Sequence, residues 1–457
     1  MHEPPCARLC ATSDAHRPAL QKRSLALHVG YVGTPYRGNQ SNPTLPRGET
    51  VDDVLEDALF QAGHVVATNY ASRGLGRLSW SRSSRTDKGV SSLATVVSCR
   101  LEVDGAWWEA DADGGALCER VNAQLPPSVR LFAATQVPRR FEARHACSSR
   151  TYHYLLPLRV LTLAAPSRDT PVTAPLPPPC DEHAPMAMQR VSALADALRR
   201  FEGTHPFHCF TKMKNYAPPP SKARKAPVAE EEEEEEGDAE EDAPMAEQPS
   251  SAPAPPDILG SYERGTFWCC SPREADRVGN AHFRRVMSAS VSQPLRIEGS
   301  EPFVRITFVG ESFMVYQIRK MIATAVAVAR GGLDPEFIDA ALTRPCRARS
   351  PIAPASTLVL AEASFWPFKP DTSGRGGAAA EEERRLETSL ATQQEVAAWH
   401  RAVLLPSLLP SLASEGWEEF LSNLDAMVPE AQDVQAVVQA ARIYSAERQA
   451  RPPREFR

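Results

Sequence analysis

The sequence predicts an α+β fold in which two related halves share an extended, mostly antiparallel sheet flanked by helices. Alternating segments such as Ser24–Tyr31 and Phe303–Val309 carry the period-two pattern of half-buried strands. Amphipathic helical segments follow the strands in both parts of the chain. The order strand–helix–strand then recurs after a connector, interrupted by one long insertion.

In the first half, residues 24–138, Ser24–Tyr31 runs into the turn-rich loop Gly33–Gln40. Thr50 opens a helix with Asp53 as its capping-box partner. Val51, Leu55, Ala58, Leu59 and Ala62 form its buried stripe, and Gly63 suits its C-terminal cap. A strand over Ser92–Leu101, a helix over Leu117–Leu125 and a strand over Val129–Ala134 follow. Residues 1–23 hold Arg8, Arg17, Lys22 and Arg23 against Glu3 and Asp14, without the apolar centre of a signal peptide, and read as a disordered tail.

In the second half, residues 139–368, Arg150–Leu155 alternates as a strand. A helix carries Met188, Val191, Leu194, Leu198 and Phe201 and closes at Gly203. From about residue 213 to 283 the composition turns to proline, alanine, lysine and acid, which reads as a disordered insertion. After the strand Phe303–Val309, Ser312 is expected to cap a helix with Met314, Ile318, Met321, Ile322 and Ala325 on one face, ending at Gly331-Gly332. Leu358–Leu360 is a last short strand. Residues 369–457 read as a linker and a helical tail, helical from about Ala391 with breaks at Pro406 and Pro410.

With 457 residues the chain exceeds one typical domain, and 42% hydrophobic content is enough for real cores. The net charge of −6 misleads: Ala229–Gln248 alone holds 12 acidic residues, and the rest of the chain stands at +6. A mildly basic remainder permits a polyanionic partner. The ten cysteines form neither a Cys-x-x-Cys pair nor a compact framework, so reduced thiols in an intracellular protein are expected. No apolar run reaches the roughly 18 residues of a membrane span, and no membrane partner is expected.

The segment Arg82–Val90 is the most informative. It sets the carboxylate of Asp87 between Arg85 and Lys88, ahead of Gly89 and the apolar run Leu93–Val97. Alone, Asp-Lys-Gly is an ordinary turn with solvated charges. Beside a fixed cation, however, a carboxylate stays ionised and serves as nucleophile or base. His205, His208 and Cys209 lie close together, but no second ligand cluster with metal spacing accompanies them, and no metal site is assigned.

Five blocks in order resemble the tRNA pseudouridine synthase family of the bacterial TruA type and its eukaryotic relatives. They are Tyr31–Gly38; Arg85–Val90; Phe141–Arg144 with Arg150–Tyr154; Phe201–His205 with Phe207; and Gly310–Met321. The resemblance covers roughly Ser24–Phe368 without the insertion. It implies isomerisation of uridine to pseudouridine in RNA, without a cofactor, in an RNA-binding cleft between the halves. Asp87 corresponds to the catalytic aspartate, which either attacks the sugar or accepts a sugar proton. Arg319 corresponds to the arginine paired with it, and Tyr152 to the tyrosine that stacks on the target base and is a candidate for deprotonating C5. Arg85 would hold the flipped nucleotide or its phosphate. Tyr36, Arg37, Gln40, Arg144, His205 and Lys320 complete the expected RNA-binding set.

The chain departs from the family pattern at Asn39, where an apolar residue or methionine is usual, at Tyr316, where histidine is usual, and at Thr357, where glycine is usual. These departures bear on pocket shape and leave Asp87, Tyr152 and Arg319 in place. The wording of the blocks resembles the eukaryotic multisite branch, which implies tRNA and also mRNA or other RNAs as partners. It further implies a monomer rather than a dimer, in the nucleus, with chloroplast or mitochondrion as the alternative compartment. A catalytically inactive RNA-binding protein of the same fold is the rival reading.

Overall fold

The computed structural model describes residues 20–71, 75–105, 108, 114–162, 184–212, 258–261, 267–270, 278–369, 383–414, 416–427 and 431–450. Its main sheet runs β4 (Val129–Gln136), β1 (Leu20–Tyr31), β3 (Ser91–Asp104), β12 (Leu358–Phe365), β5 (Cys147–Pro157), β10 (Phe303–Gly310), β9 (Phe283–Val291) and β6 (Gly203–Pro206). The two-residue β2 (Ser81–Arg82) pairs with β3. Every pairing in this sheet is antiparallel except one: β12 meets β3 in parallel at Val359↔Ser91 and Leu360↔Ser92. That short seam joins the halves. Beyond it the strands part, with β12 continuing along β5 to Phe365↔Cys147, while β2 takes up β3 at Arg82↔Val97 and Ser81↔Ser98.

Each half covers one sheet face with helices because alternate strand residues are apolar. In the first half Leu25, Leu27, Val29 and Tyr31 of β1 pack with Val51, Leu55 and Leu59 of α1 (Val51–Gln61) and Leu117 and Val121 of α2 (Gly115–Asn122). Thr50 caps α1 by accepting the Asp53 N–H. The return half of the expected capping box is replaced, because the Asp53 carboxylate accepts the Ser41 hydroxyl at 2.6 Å. In the second half Tyr152, Tyr154 and Leu156 of β5 face α3 (Ala184–Arg199), α4 (Gln317–Ala329) and α5 (Glu336–Ala341).

The sequence misplaces several elements. β1 starts at Leu20, so the last four residues assigned to a disordered tail are strand. Polar cross-strand contacts, such as Lys22 Nζ to Glu102 at 3.6 Å, hold them without apolar alternation. Residues 1–19 and 213–257 lie outside the described residues. Within the expected insertion, β7 (Ile258–Ser261) and β8 (Phe267–Cys270) form a small second sheet with β11 (Cys346–Ala348), whose partner strand is distant in sequence. Ser312 does not cap α4; Tyr316 occupies that position, and the Gln317 side chain accepts the Met314 N–H at 2.9 Å.

The C-terminal region is no tail. α6 (Leu390–Trp399) continues through a widened π-turn at His400–Leu404 into α7 (Leu405–Leu412). The widened turn directly precedes Pro406, whose ring would otherwise crowd the carbonyl of Ala402. Trp399, Leu404, Leu408 and Leu412 pack behind the sheet on Phe132 of β4, Val359 of β12, Leu155 of β5 and Phe303 of β10. This strap therefore touches both halves. α8 (Gly416–Met427) and α9 (Ala431–Ala450) add Trp417, Phe420, Leu424 and Val437 to the core around α4, where Arg330 pairs with Asp425 at 2.9 Å.

Candidate active site at the seam between the halves

The segment 83–90 crosses the point where β3 and β12 begin to diverge. It leaves β2 with the Ser83 N–H donating to Val96 O at 2.8 Å, and the Val90 N–H closes a turn onto Asp87 O at 3.1 Å. Gly89 takes φ +81°, a conformation that disfavours a side chain. The turn read from the sequence thus exists, and it carries the carboxylate. Gly33 of the neighbouring loop comes so close that a Cβ there would sit 2.1 Å from Val90 O.

Side chains from three directions fix the loop. Asn39, buried, donates its amide to Ser84 O at 2.9 Å and accepts the Thr86 N–H at 3.0 Å. Tyr31 and Thr86 share a hydroxyl hydrogen bond of 2.8 Å. Arg150, 8% exposed on β5, reaches Ser83 O through Nε at 3.1 Å, and its Nη1 donates to Glu311 O. One guanidinium thereby ties a carbonyl of each half.

Arg319 enters from the first turn of α4. Its Nε donates to Ala353 O at 2.6 Å, its guanidinium carbon lies 5.5 Å from the Tyr316 ring centroid, and Nη1 stands 3.6 Å from Asp87 Oδ2. Tyr316 adopts φ +63°. A bulky residue in that region is strained, and such strain persists where the surroundings enforce it. Both members of the ion pair are partly exposed, which leaves the pair open to a substrate.

Tyr152 lies on β5 beneath the loop. Its hydroxyl is 2.7 Å from Ser84 Oγ, its ring meets Phe313 edge-on at 5.4 Å, and it is 5% exposed. Burial pushes the phenol up from its ordinary value, the Ser84 hydrogen bond and Arg150 oppose this, and the Asp87 charge adds to it. The hydroxyl therefore keeps its proton at neutral pH.

The structure brings Asp87, Tyr152 and Arg319 together and sorts the expected RNA-binding residues. Arg85 and Gln40 are exposed at the loops, Arg37 is exposed in an ion pair with Glu49 at 2.8 Å, and Arg144 is exposed beside β2, its N–H on Ser81 Oγ at 3.3 Å. Two others are buried and need correction, and a third stands apart. Tyr36 is 6% exposed, packed in the first core with its hydroxyl 2.8 Å from Ser128 Oγ, so no base can stack on it. Lys320 is 7% exposed and donates to Thr211 O at 2.8 Å; burial pulls its ammonium down to about 8. His205 sits on the edge strand β6 with Nε2 2.7 Å from Glu202 O, several strands from Asp87.

Sequence reasoning passed over Arg150, Asn39 and Asp52. Asp52 is buried and accepts from Trp80 Nε1 at 3.0 Å, Arg82 Nε at 2.6 Å and the Ser41 N–H at 2.8 Å, which anchors the start of the Asp87 segment. Asn39 did leave a signal: it is polar where the family pattern is apolar, and its amide does the bracketing.

A carboxylate–guanidinium pair thus stands on a split sheet, with an aromatic wall and exposed arginines around it. The family profile described as tRNA pseudouridine synthase matches residues 258–365. The chain is 26% identical over 375 residues to the pseudouridylate synthase 1 homolog of Mus musculus, covering 82% of this chain and 68% of that protein. It is 29% identical to tRNA pseudouridine synthase 1 of Eremothecium gossypii and 28% identical to that of Saccharomyces cerevisiae, covering 77% and 75% of this chain. The match spans only 65% and 61% of those two relatives. The chain is thus similar to eukaryotic tRNA pseudouridine synthases along about three quarters of its length.

Proposed function

We propose that this protein isomerises uridine to pseudouridine in tRNA, with Asp87 as the catalytic carboxylate. The observation that carries the reading is the Asp87–Arg319 pair, 3.6 Å apart and formed across the seam from both halves. The reaction breaks the N-glycosidic bond, turns the uracil and joins C5 to the sugar carbon. An ionised carboxylate beside the sugar either forms a transient bond to it or removes a sugar proton, and a fixed guanidinium favours the charged form in both cases. Tyr152 supplies an aromatic wall for the turning uracil, and because its phenol keeps its proton it serves there as a stacking surface and hydrogen-bond donor rather than as the base that takes the C5 proton. Arg85 and Arg144 would take phosphates on either side of a flipped nucleotide. Arg37 and Gln40 extend that surface.

The proposal extends to further RNAs, mRNA among them, to a monomer and to a nuclear compartment. The family's eukaryotic branch supports these points by resemblance. Tritium release from tRNA carrying 5-tritiated uracil tests the core of the reading. Wild-type protein is expected to release tritium and Asp87→Ala to release none. Binding of tRNA without release from any RNA tried would instead establish an inactive RNA-binding protein.

A further inference from the structure

Where β12 leaves the sheet, the chain exposes an indole that the active site does not use. Trp366 is 62% exposed, the most exposed of the described tryptophans. Its backbone N–H donates to Ala146 O at 2.9 Å, which fixes it beside the segment 138–146. Between them lies an open groove of about 620 Å³. Phe141 forms its apolar floor, edge-on to Phe368 at 5.4 Å and 6.2 Å from Phe365. Arg140 and Lys369 stand exposed at its rim. The described segments that border it, residues 138–146, 366–369 and 383–387, hold six arginines and lysines against three glutamates. Of these glutamates, Glu142 is already engaged with His145 at 3.5 Å.

An exposed indole over an aromatic floor with a cationic rim is the chemistry that receives an unpaired nucleobase and its phosphates: every base has a face to stack, and the charge tracks the backbone. The segment 138–146 that borders the groove also touches the approach to the Asp87 loop. Arg144 is bonded to Ser81 of β2, which leads directly into the Asp87 segment. β12 runs parallel to β3, so the six residues from Leu360 at the seam to Trp366 place the indole about 20 Å from the seam. That is too far for the target uridine and within reach of neighbouring nucleotides.

We infer that the Trp366 groove is a second subsite for the substrate RNA, stacking an unpaired base several nucleotides from the one isomerised. The inference rests on the pseudouridine synthase reading for the identity of its ligand. Its chemistry predicts a contribution to binding and none to the chemical step. Fluorescence anisotropy with unmodified full-length tRNA tests it in Trp366→Ala and Trp366→Tyr, with the tritium assay run in parallel. Trp366→Ala is expected to weaken tRNA binding and raise KM by about tenfold at unchanged kcat, and Trp366→Tyr to retain most of the affinity. Wild-type affinity in Trp366→Ala would overturn the inference and leave the groove to a protein partner. Equal losses in the alanine and tyrosine variants would also overturn it, because stacking would not be the interaction. Failure of the activity reading is separate: it appears as wild-type protein that releases no tritium, while anisotropy still reports on the groove.

Discussion

Asp87 and Arg319 arrive at the same point by opposite means. On the first half the carboxylate sits on a segment without regular structure, held by Asn39, Thr86 with Tyr31, and Ser83 with β3. On the second half the guanidinium sits on a helix whose other faces are buried, with Tyr316 in a strained conformation at its entrance. Polar brackets position the first charge and apolar packing the second. A loop held by hydrogen bonds is sensitive to loss of single polar atoms, whereas a packed helix tolerates surface change and fails by losing its one guanidinium. Arg150 belongs to both systems, since it binds Ser83 O and Glu311 O together.

Breaking that shared link should have the largest effect. Arg150→Met leaves two carbonyls without their charged donor and is expected to lower stability by about 3 kcal/mol, with near-complete loss of activity, read by thermal unfolding and tritium release. Arg319→Lys keeps the charge but loses the planar fork that serves Ala353 O and Asp87 at once. It is expected to reduce kcat by about a hundredfold while the melting temperature stays close to wild type. Asn39→Ala removes both brackets of the loop and is expected to lower stability by about 1–2 kcal/mol. Its activity should fall more than its stability implies, because the loss is concentrated at the Asp87 segment; proportionate losses would show that the bracket is merely structural.

The smallest expected effect concerns the strap behind the sheet. His153 of β5 is pulled down to about 4, first by burial and then by Arg305 and His400; burial also lowers His400. Both are neutral in the folded state at pH values where the unfolded chain is already protonated. The unfolded state therefore binds more protons between about pH 4 and 6.5, so stability is complete above 6.5 and falls as pH drops through that window. His153→Gln should flatten this part of the stability curve measured by urea titration, without changing activity at pH 7.5.

The elements with apolar periodicity were legible: β1, α1, β5 and β10 lie where alternation or a helical stripe places them, and α4 follows its stripe from Ile318 onward, with Met314 left outside it. Those held by partners were not. Leu20–Arg23 joins β1 through polar pairing with β3, and β8 exists because β11 supplies its edge. Pro406 and Pro410 announce breaks that a π-turn and the apolar back of the sheet absorb. At the site, Asp87, Tyr152 and Arg319 were legible as residue types within motifs. Tyr36 and Lys320 carry the right chemistry in those motifs but turn inward, and a one-dimensional pattern does not record which side of a loop faces the core.

The sequence by itself determined the chemistry available to this protein: one carboxylate in a turn, one arginine on a helix, one tyrosine on a strand, in blocks whose order resembles that of the pseudouridine synthases. The tertiary structure decided that these meet. A two-residue parallel seam joins the sheets of the two halves, and the strands then diverge, opening a gap that the Asp87 segment spans. It also decided which polar residues became brackets and which cations stayed exposed. The physical reason is that pairing, burial and charge proximity are properties of residues far apart in the chain, so they come into existence only when the chain closes on itself.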